Sequence, residues 1–172
     1  TGEFDYKVKK PLDFGFLNYS TLAKRQHFCA EELRLNQRAA AAIYLDVLPI
    51  SQQGETFTLG ATDHVGEYAV KMRQFPQSSL LSHCFEQGEL TEALLLQLAE
   101  KIADFHQRAE TNDYIRSFGT VDNIRQSIDE NYEQTVAFIG GPQTQKQFDE
   151  TKAFTDEFFT ARQPLFQRRI DQ

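Results

Sequence analysis

The chain has 172 residues, of which 40% are hydrophobic and 12% aromatic, enough for one domain with a sizeable core. Its formal net charge of −7 argues against nucleic acid or an acidic membrane surface as the main partner, because both need a basic footprint. It contains no apolar run of the roughly 20 residues that span a bilayer. Two cysteines, without a metal-binding spacing, favour a reducing, cytoplasmic location.

The first part of the sequence predicts a short strand followed by a long helix. Residues 4–8 alternate apolar and charged side chains until Pro11, which is typical of a strand after a turn. Ser20 is a suitable N-cap, and residues 21–42 are rich in Leu, Arg, Glu and Ala. This composition predicts a helix of about five or six turns.

Three short runs rich in β-branched or aromatic residues come next, at residues 43–50, 55–62 and 67–75. Turn-forming residues separate them, so we predict three antiparallel strands.

The sequence after Pro76 predicts helices only. A long helix is expected at residues 90–109, and another begins at a Thr120 cap and stops at the Gly-Gly-Pro of residues 140–142. A last helix contains Pro164, which is expected to kink or break it.

Strands with one early helix, followed by helices only, predict an α+β fold. A strand lysine, then a helix glutamate, then three strands is also the order of elements in a kinase N-lobe. We therefore predict a partial protein-kinase-like N-lobe with an antiparallel sheet, one helix and the adenine linker at residues 1–75. Residues 76–172 are predicted to form the helical part of the C-lobe, ending before the catalytic loop.

In such a lobe a strand lysine holds the nucleotide phosphates, and a glutamate of the following helix holds the lysine. The stretch "YKVK" makes Lys9 the predicted phosphate lysine. Lys7 stays an alternative, because alternate residues of a strand point to the same face. Glu31 is the preferred partner since Leu35 lies one turn later as a packing residue, whereas Glu32 has a polar residue there.

The segment formed by Met72, Arg73, Gln74 and Phe75 falls where two lobes would be joined. A linker of this kind offers backbone N–H and C=O groups to an adenine ring, so chain position matters more than side-chain identity. We predict that these four residues face the adenine. The alternative is that they are simply the end of an edge strand.

These residues carry a resemblance to a known family. The stretches "YKVKKPLDFGFLNYSTLAKRQHFCAEELRLN", "YLDVLPI", "EYAVKMRQFPQ" and "GELTEALLLQLAEKIADFHQRA" resemble the aminoglycoside phosphotransferase family of kinase-like enzymes. The likeness is to its uncharacterised bacterial branch, in which this domain is often fused to a C-terminal P-loop kinase-type domain. The resemblance implies ATP and Mg²⁺ as cofactors, an unknown small-molecule hydroxyl as acceptor, and a fused P-loop domain as partner in the parent polypeptide.

Asp13, Phe14 and Gly15 spell D-F-G, the magnesium-binding triplet of protein kinases. In the family that this chain resembles, the magnesium aspartate follows the catalytic loop, whereas Asp13 precedes the glutamate helix. We therefore predict a packed connection, with a turn at Gly15 and with Phe14 and Phe16 anchored under the helix.

The family's catalytic loop, an H-G-D followed by Asn, does not occur in residues 1–172. We therefore predict no catalytic and no metal-ligating residue within this chain. The sequence indicates part of an ATP-dependent small-molecule phosphotransferase, inactive as this fragment because phosphoryl transfer needs positioned magnesium and an oriented acceptor. The alternative function is a non-catalytic nucleotide- or protein-binding module that retains a kinase-like lobe.

Overall fold

A computed structural model describes residues 2–171 and shows a mixed fold of one four-stranded antiparallel sheet and several helices. The predicted α+β class is confirmed at this level. The chain divides into two compact units, Thr1–Arg108 and Ala109–Gln172, and each is described by itself below.

The first unit contains the sheet. Its strands are β1 (Phe4–Val8), β2 (Tyr44–Gln53), β3 (Thr56–Leu59) and β4 (Val65–Arg73). They lie in the order β1-β4-β2-β3, and all neighbouring strands are antiparallel. Each of the predicted strands is present. The signals that predicted them are local: alternation of side chains in the first, and runs of β-branched or aromatic residues between turns in the other three.

A 19-residue helix, α1 (Leu22–Ala40), packs against β2 and β4. Its N-cap is Thr21, one residue after the predicted Ser20, and the Thr21 side chain accepts a backbone hydrogen bond in the first turn. The buried residues of the helix are Arg25 and Cys29. The face of α1 that meets the sheet is therefore polar and small rather than bulky and apolar.

The connection between β1 and α1 forms a turn, as predicted. The carboxylate of Asp13 accepts a hydrogen bond from the backbone N–H of Gly15 at 3.0 Å, and Gly15 has a φ of +81°, which glycine adopts without a steric penalty. The Asp13 carboxylate also accepts a hydrogen bond from the Asn18 side chain. It therefore serves to close the turn.

The prediction that Phe14 and Phe16 anchor this connection under the helix is wrong. Their rings stack on each other, with centroids 6.2 Å apart, and both side chains are exposed. Tyr19 makes the contact with the helix instead, because its ring meets the edge of Phe28 at 5.2 Å. Tyr19 is closer to the start of α1, so its side chain reaches the helix directly.

Two further helices belong to the first unit, α2 (Leu81–Glu86) and α3 (Glu92–Gln107). The guanidinium of Arg38 in α1 lies 4.9 Å from the centre of the Phe105 ring in α3, a cation–π contact. The first unit thus extends beyond residue 75, where strands give way to helices and where the lobe boundary is predicted.

The second unit consists of α4 (Asp113–Phe118), α5 (Val121–Thr135) and α6 (Gln145–Asp171). Thr120 caps α5 as predicted. Pro164 lies inside α6 and does not break it, so of the two predicted effects, a kink or a break, the break does not occur. A proline removes one backbone donor, and the remaining bonds of this 27-residue helix continue on both sides.

An arginine joins α5 to α6. Arg125 donates to Asp129 of its own helix at 2.7 Å and to Asp156 of α6. Its guanidinium also lies 5.4 Å from the centre of the Phe159 ring. The hydrogen bonds from Arg125 hold the pKa values of both aspartates below their ordinary range, so the two carboxylates stay ionised at neutral pH.

Replacement of Phe159 should destabilise the second unit. Its side chain is 7% exposed and stacks on Phe166 with centroids 5.0 Å apart. Phe159→Ala should lower the free energy of unfolding by about 3 kcal/mol, because truncating a buried Phe leaves a cavity. Phe154, 69% exposed, is the matched control, and urea denaturation of both variants measures the difference. Equal effects of the two substitutions would contradict this packing.

Candidate functional site

Lys7 of β1 and Lys9, which directly follows the last residue of β1, share one carboxylate of α1. Nζ of Lys7 lies 2.9 Å from Oε1 of Glu32, and Nζ of Lys9 bonds to Oε2 of the same group. The Lys9 and Glu32 side chains are 6% and 13% exposed, whereas that of Lys7 is 54% exposed. We call these three residues the Glu32 cluster. Its two ammonium groups and one carboxylate leave one net positive charge.

The prediction that Glu31 is the partner of the strand lysine is wrong. The Glu31 carboxylate is bound by Arg34, whose Nη2 lies 2.7 Å from Oε2. Consecutive helix residues are rotated by about 100°, so Glu31 faces away when Glu32 faces β1. Leu35, the residue that favoured Glu31, is exposed. Lys7 and Lys9, the two lysines predicted as alternatives, both bind the Glu32 carboxylate.

The rotation of α1 follows from the residues that it buries. Arg25 and Cys29 are one helical turn apart and buried, and Glu32 continues the same face. Asn36 lies one turn further and donates from Nδ2 to the backbone oxygen of Glu32 at 2.8 Å. The spacing of 25, 29, 32 and 36 puts Glu32 on the buried face of α1 once Arg25 and Cys29 are known to be buried. Hydropathy alone misses this face, because two of these residues are charged.

A second ion pair fixes the same helix to β4. Nε of Arg25 lies 2.8 Å from both carboxylate oxygens of Glu67, and Nη1 donates to the backbone oxygen of Tyr19 at 3.1 Å. Cys29 lies on the same face, fully buried, with its Sγ 3.9 Å from the backbone oxygen of Tyr68. Its small side chain allows the helix backbone to approach the sheet.

Hydrogen bonding favours the charged forms of Glu32 and Lys7. Burial acts to raise the pKa of Glu32, but the hydrogen bonds from Lys9 and Lys7 outweigh burial and hold that pKa below its ordinary value. The hydrogen bond to Glu32 raises the pKa of Lys7. Burial raises the pKa of the Cys29 thiol, which favours the protonated thiol over the thiolate.

The predicted adenine segment is divided between the sheet and the chain after it. Met72 and Arg73 are the last residues of β4, and Met72 pairs with both neighbouring strands. The backbone N–H groups of Arg73 and Gln74 donate to Ile43 and Glu3. Among residues 2–171, the backbone of Phe75 takes part in no hydrogen bond.

An open cleft of about 400 Å³ lies at this segment. It is lined by Gly2, Gln74, Phe75, Pro76 and Gln77. Its volume is in the range of small-molecule sites. Gln74 and Phe75 are thus the two predicted adenine-facing residues that the structure places at a cleft.

No group of three or more His, Cys, Asp or Glu residues within residues 2–171 is placed to hold a metal ion. Both cysteines are free thiols. None of the helices in the same range combines the length and the apolar character needed to cross a membrane.

The sequence is similar to proteins of mycobacteria. It is 29% identical over 171 residues to the uncharacterised protein Mb2027c of Mycobacterium bovis and, to the same degree, to the uncharacterised protein Rv2004c of Mycobacterium tuberculosis. The alignment includes 99% of this chain and 33% of each relative. The chain therefore spans about a third of the length of these curated relatives. No family model and no solved structure matches the sequence.

The two adjacent glutamates should differ sharply in their effect on stability. Glu32→Gln leaves the buried ammonium of Lys9 without a charged partner, and breaking such a buried pair costs about 3 kcal/mol or more. Glu31→Gln removes only an exposed pair with Arg34, so it should leave the free energy of unfolding unchanged within error. Urea denaturation at pH 7 measures both.

The difference in the free energy of unfolding between the wild type and Glu32→Gln should depend on pH. The pKa of Glu32 in the folded protein lies below its ordinary value of 4.5. The stabilisation of the fold by the ionised Glu32 carboxylate is therefore fully present above pH 4.5 and is lost as the pH falls through the folded-state pKa. The difference between wild type and Glu32→Gln should therefore shrink in acid. A difference that stays constant from pH 7 to pH 3 would argue against an ionised Glu32.

Proposed function

We propose that residues 1–172 form the nucleotide-binding part of an ATP-dependent small-molecule phosphotransferase similar to the aminoglycoside phosphotransferases. The observation that carries the proposal is the Glu32 cluster, an ion pair between the first strand and the first helix. A helix carboxylate that fixes a strand ammonium is the device by which kinases position the lysine that binds nucleotide phosphates. The cytoplasm, where ATP is abundant, is the location that goes with this function.

The order of strands supports a partial kinase-like N-lobe. β1 lies beside β4, and β4 leads directly into the predicted linker. Phe4 is opposite Arg73 and Lys7 is opposite Val70. At about 3.3 Å per residue, Lys7 and Lys9 lie about 10 Å and about 17 Å along the strand from the Phe4–Arg73 pair. The distance from the linker to the two lysines is thus similar to the length of a nucleotide.

The residues present fit the nucleotide and not the metal. The net positive charge of the Glu32 cluster suits a phosphate group. The backbone groups of Phe75, which form no hydrogen bond within residues 2–171, suit the hydrogen-bonding edge of a purine. Within residues 2–171 no group of carboxylates is arranged to bind a cation, so no step is assigned through Mg²⁺. In this proposal, the residues of the chain bind and orient ATP.

Transfer of the phosphoryl group needs residues that this sequence does not contain. No H-G-D loop occurs in residues 1–172, and phosphoryl transfer requires a residue that orients the acceptor. The curated relatives are about three times as long as the aligned region. We therefore assign the catalytic loop, the metal ligands and the acceptor pocket to the longer polypeptide, which includes a P-loop domain in this proposal.

ATP should bind to the full-length polypeptide that carries this sequence, and the binding should depend on Glu32. Isothermal titration with ATP, with and without Mg²⁺, should show saturable binding to the wild type. Glu32→Gln should weaken it about 10-fold or more, because the lysines lose their common partner, whereas Glu31→Gln should bind as the wild type does. Titrations are run at a temperature at which circular dichroism shows all three proteins folded.

Three results separate the functions considered. Absence of ATP binding by the folded wild type would overturn the proposal. ATP binding without any consumption of ATP, across a panel of small hydroxyl compounds, would instead support the alternative, a non-catalytic nucleotide-binding module. Consumption of ATP that depends both on an added hydroxyl compound and on Glu32, and is therefore not the work of the P-loop domain alone, identifies the transferase and its acceptor class together.

A further inference from the structure

Helix α6 carries an apolar stripe on the side that does not face α5. The α6 stripe consists of Phe154, Phe158, Ala161 and Leu165. Its intervals of four, three and four residues are those of the seam of a coiled coil. At about 100° per residue, Phe154 lies about 140° around the helix from Phe159, which contacts Arg125 of α5. The stripe therefore lies on the reverse face of the α5–α6 pair.

The α6 stripe is open to solvent. Phe154 and Phe158 are 69% and 37% exposed, and their rings stack with centroids 6.0 Å apart. Together with Glu157, Ala161 and Arg162 they line a groove of about 190 Å³. A contiguous group of exposed aromatic side chains with a charged rim is typical of a surface that binds another protein surface.

Two residues of opposite charge border the stripe. Glu157 and Arg162 lie about 70° to either side of its centre. Among residues 2–171, neither of these side chains takes part in an ion pair or a hydrogen bond. Lys152 and Asp156 of the same helix, by contrast, pair with each other. Glu157 and Arg162 are therefore available to a partner across the stripe, in the way that flanking charges select the partner of a coiled-coil helix.

We propose that α6 pairs in parallel with α6 of a second copy of the polypeptide. The charges of the surface are complementary to themselves. A two-fold axis along the helices brings opposite flanks of the two copies together, so Glu157 of each copy faces Arg162 of the other. The two residues are about 7.5 Å apart along the helix axis, a distance that the two long side chains span. An antiparallel pair would bring the same flanks together and would separate Glu157 from Arg162.

Identical residues of the stripe face each other in such a pair. Phe154 and Phe158 each meet their own counterpart, so rings that are exposed in the single chain become buried. Ala161 is small and allows the two helices to approach. Because the stripe covers only about three turns, we expect reversible association with a Kd of about 10 µM or weaker. The association does not depend on the proposed nucleotide binding.

Charge reversal tests the pairing. Sedimentation equilibrium of the full-length polypeptide from about 1 µM to about 200 µM should show a monomer–dimer equilibrium. Glu157→Arg or Arg162→Glu alone should weaken it about 10-fold or more, because like charges then face each other. The double reversal and an equimolar mixture of the two single variants should each restore association. The double variant keeps the net charge of the wild type, and circular dichroism checks that every variant is folded.

Cysteine crosslinking tests the parallel direction. Phe154→Cys and Ala161→Cys should each form a disulfide between two copies on mild oxidation, identified by mass spectrometry. Only a parallel pair places two different positions of one helix each opposite itself, within the reach of a disulfide. Ala153→Cys is the matched control, because Ala153 is exposed and lies about 110° from the centre of the stripe.

The possible results decide the inference. Weakening by each single reversal, restoration in the mixture and both crosslinks together support it. A polypeptide that stays monomeric up to about 200 µM would overturn it and would indicate that the rest of the polypeptide covers the stripe. A dimer that tolerates both single reversals, or that crosslinks at Ala153 as readily as at Ala161, would overturn it too, because its interface is then a different surface.

Discussion

The first unit depends on one shared carboxylate. Glu32 is largely buried and bound by Lys7 and Lys9, and a buried carboxylate is tolerated only when charged partners and hydrogen bonds replace the water that it loses. Because Lys7 belongs to β1, Lys9 directly follows it and the glutamate belongs to a helix, satisfying this charge fixes the rotation of α1 and its position along β1. The net positive charge that remains is a direct consequence of using two lysines for one carboxylate.

The rest of the helix–sheet contact is consistent with that constraint. Arg25 and Glu67 form a second ion pair on the same face of α1, and the fully buried side chains of the contact are small: Cys29, Ala69 and Val70. Small side chains supply little apolar area, so burial alone does not select one helix rotation. The ion pairs do select one rotation of the helix, because the charged groups reach each other in only one orientation of α1. This arrangement favours specificity of packing, and it leaves a charged site at the edge strand β1.

Much of the fold was predictable because its signals are local. Strand alternation, the Thr120 cap and the glycine turn at residue 15 each act within a few residues. The rotation of α1 was not predictable in the same way, since the Glu31 prediction took Leu35 as the buried neighbour and the true buried face holds Arg25. The exposure of Phe14 and Phe16 and the passage of α6 through Pro164 likewise depend on tertiary context. Of the candidate site, position along the chain identified the lysines, and only the fold identified Glu32.

The measurement that tests this account most directly is a double-mutant cycle between Lys9 and Glu32. Free energies of unfolding are compared for the wild type, Lys9→Met, Glu32→Gln and the double variant, with Lys7 retained in all four. Residues in one buried ion pair are coupled, so the account predicts that the double variant loses at least about 1 kcal/mol less than the sum of the single losses. Additivity within about 0.5 kcal/mol, the behaviour of independent sites, would show that the two residues are not paired and would contradict it.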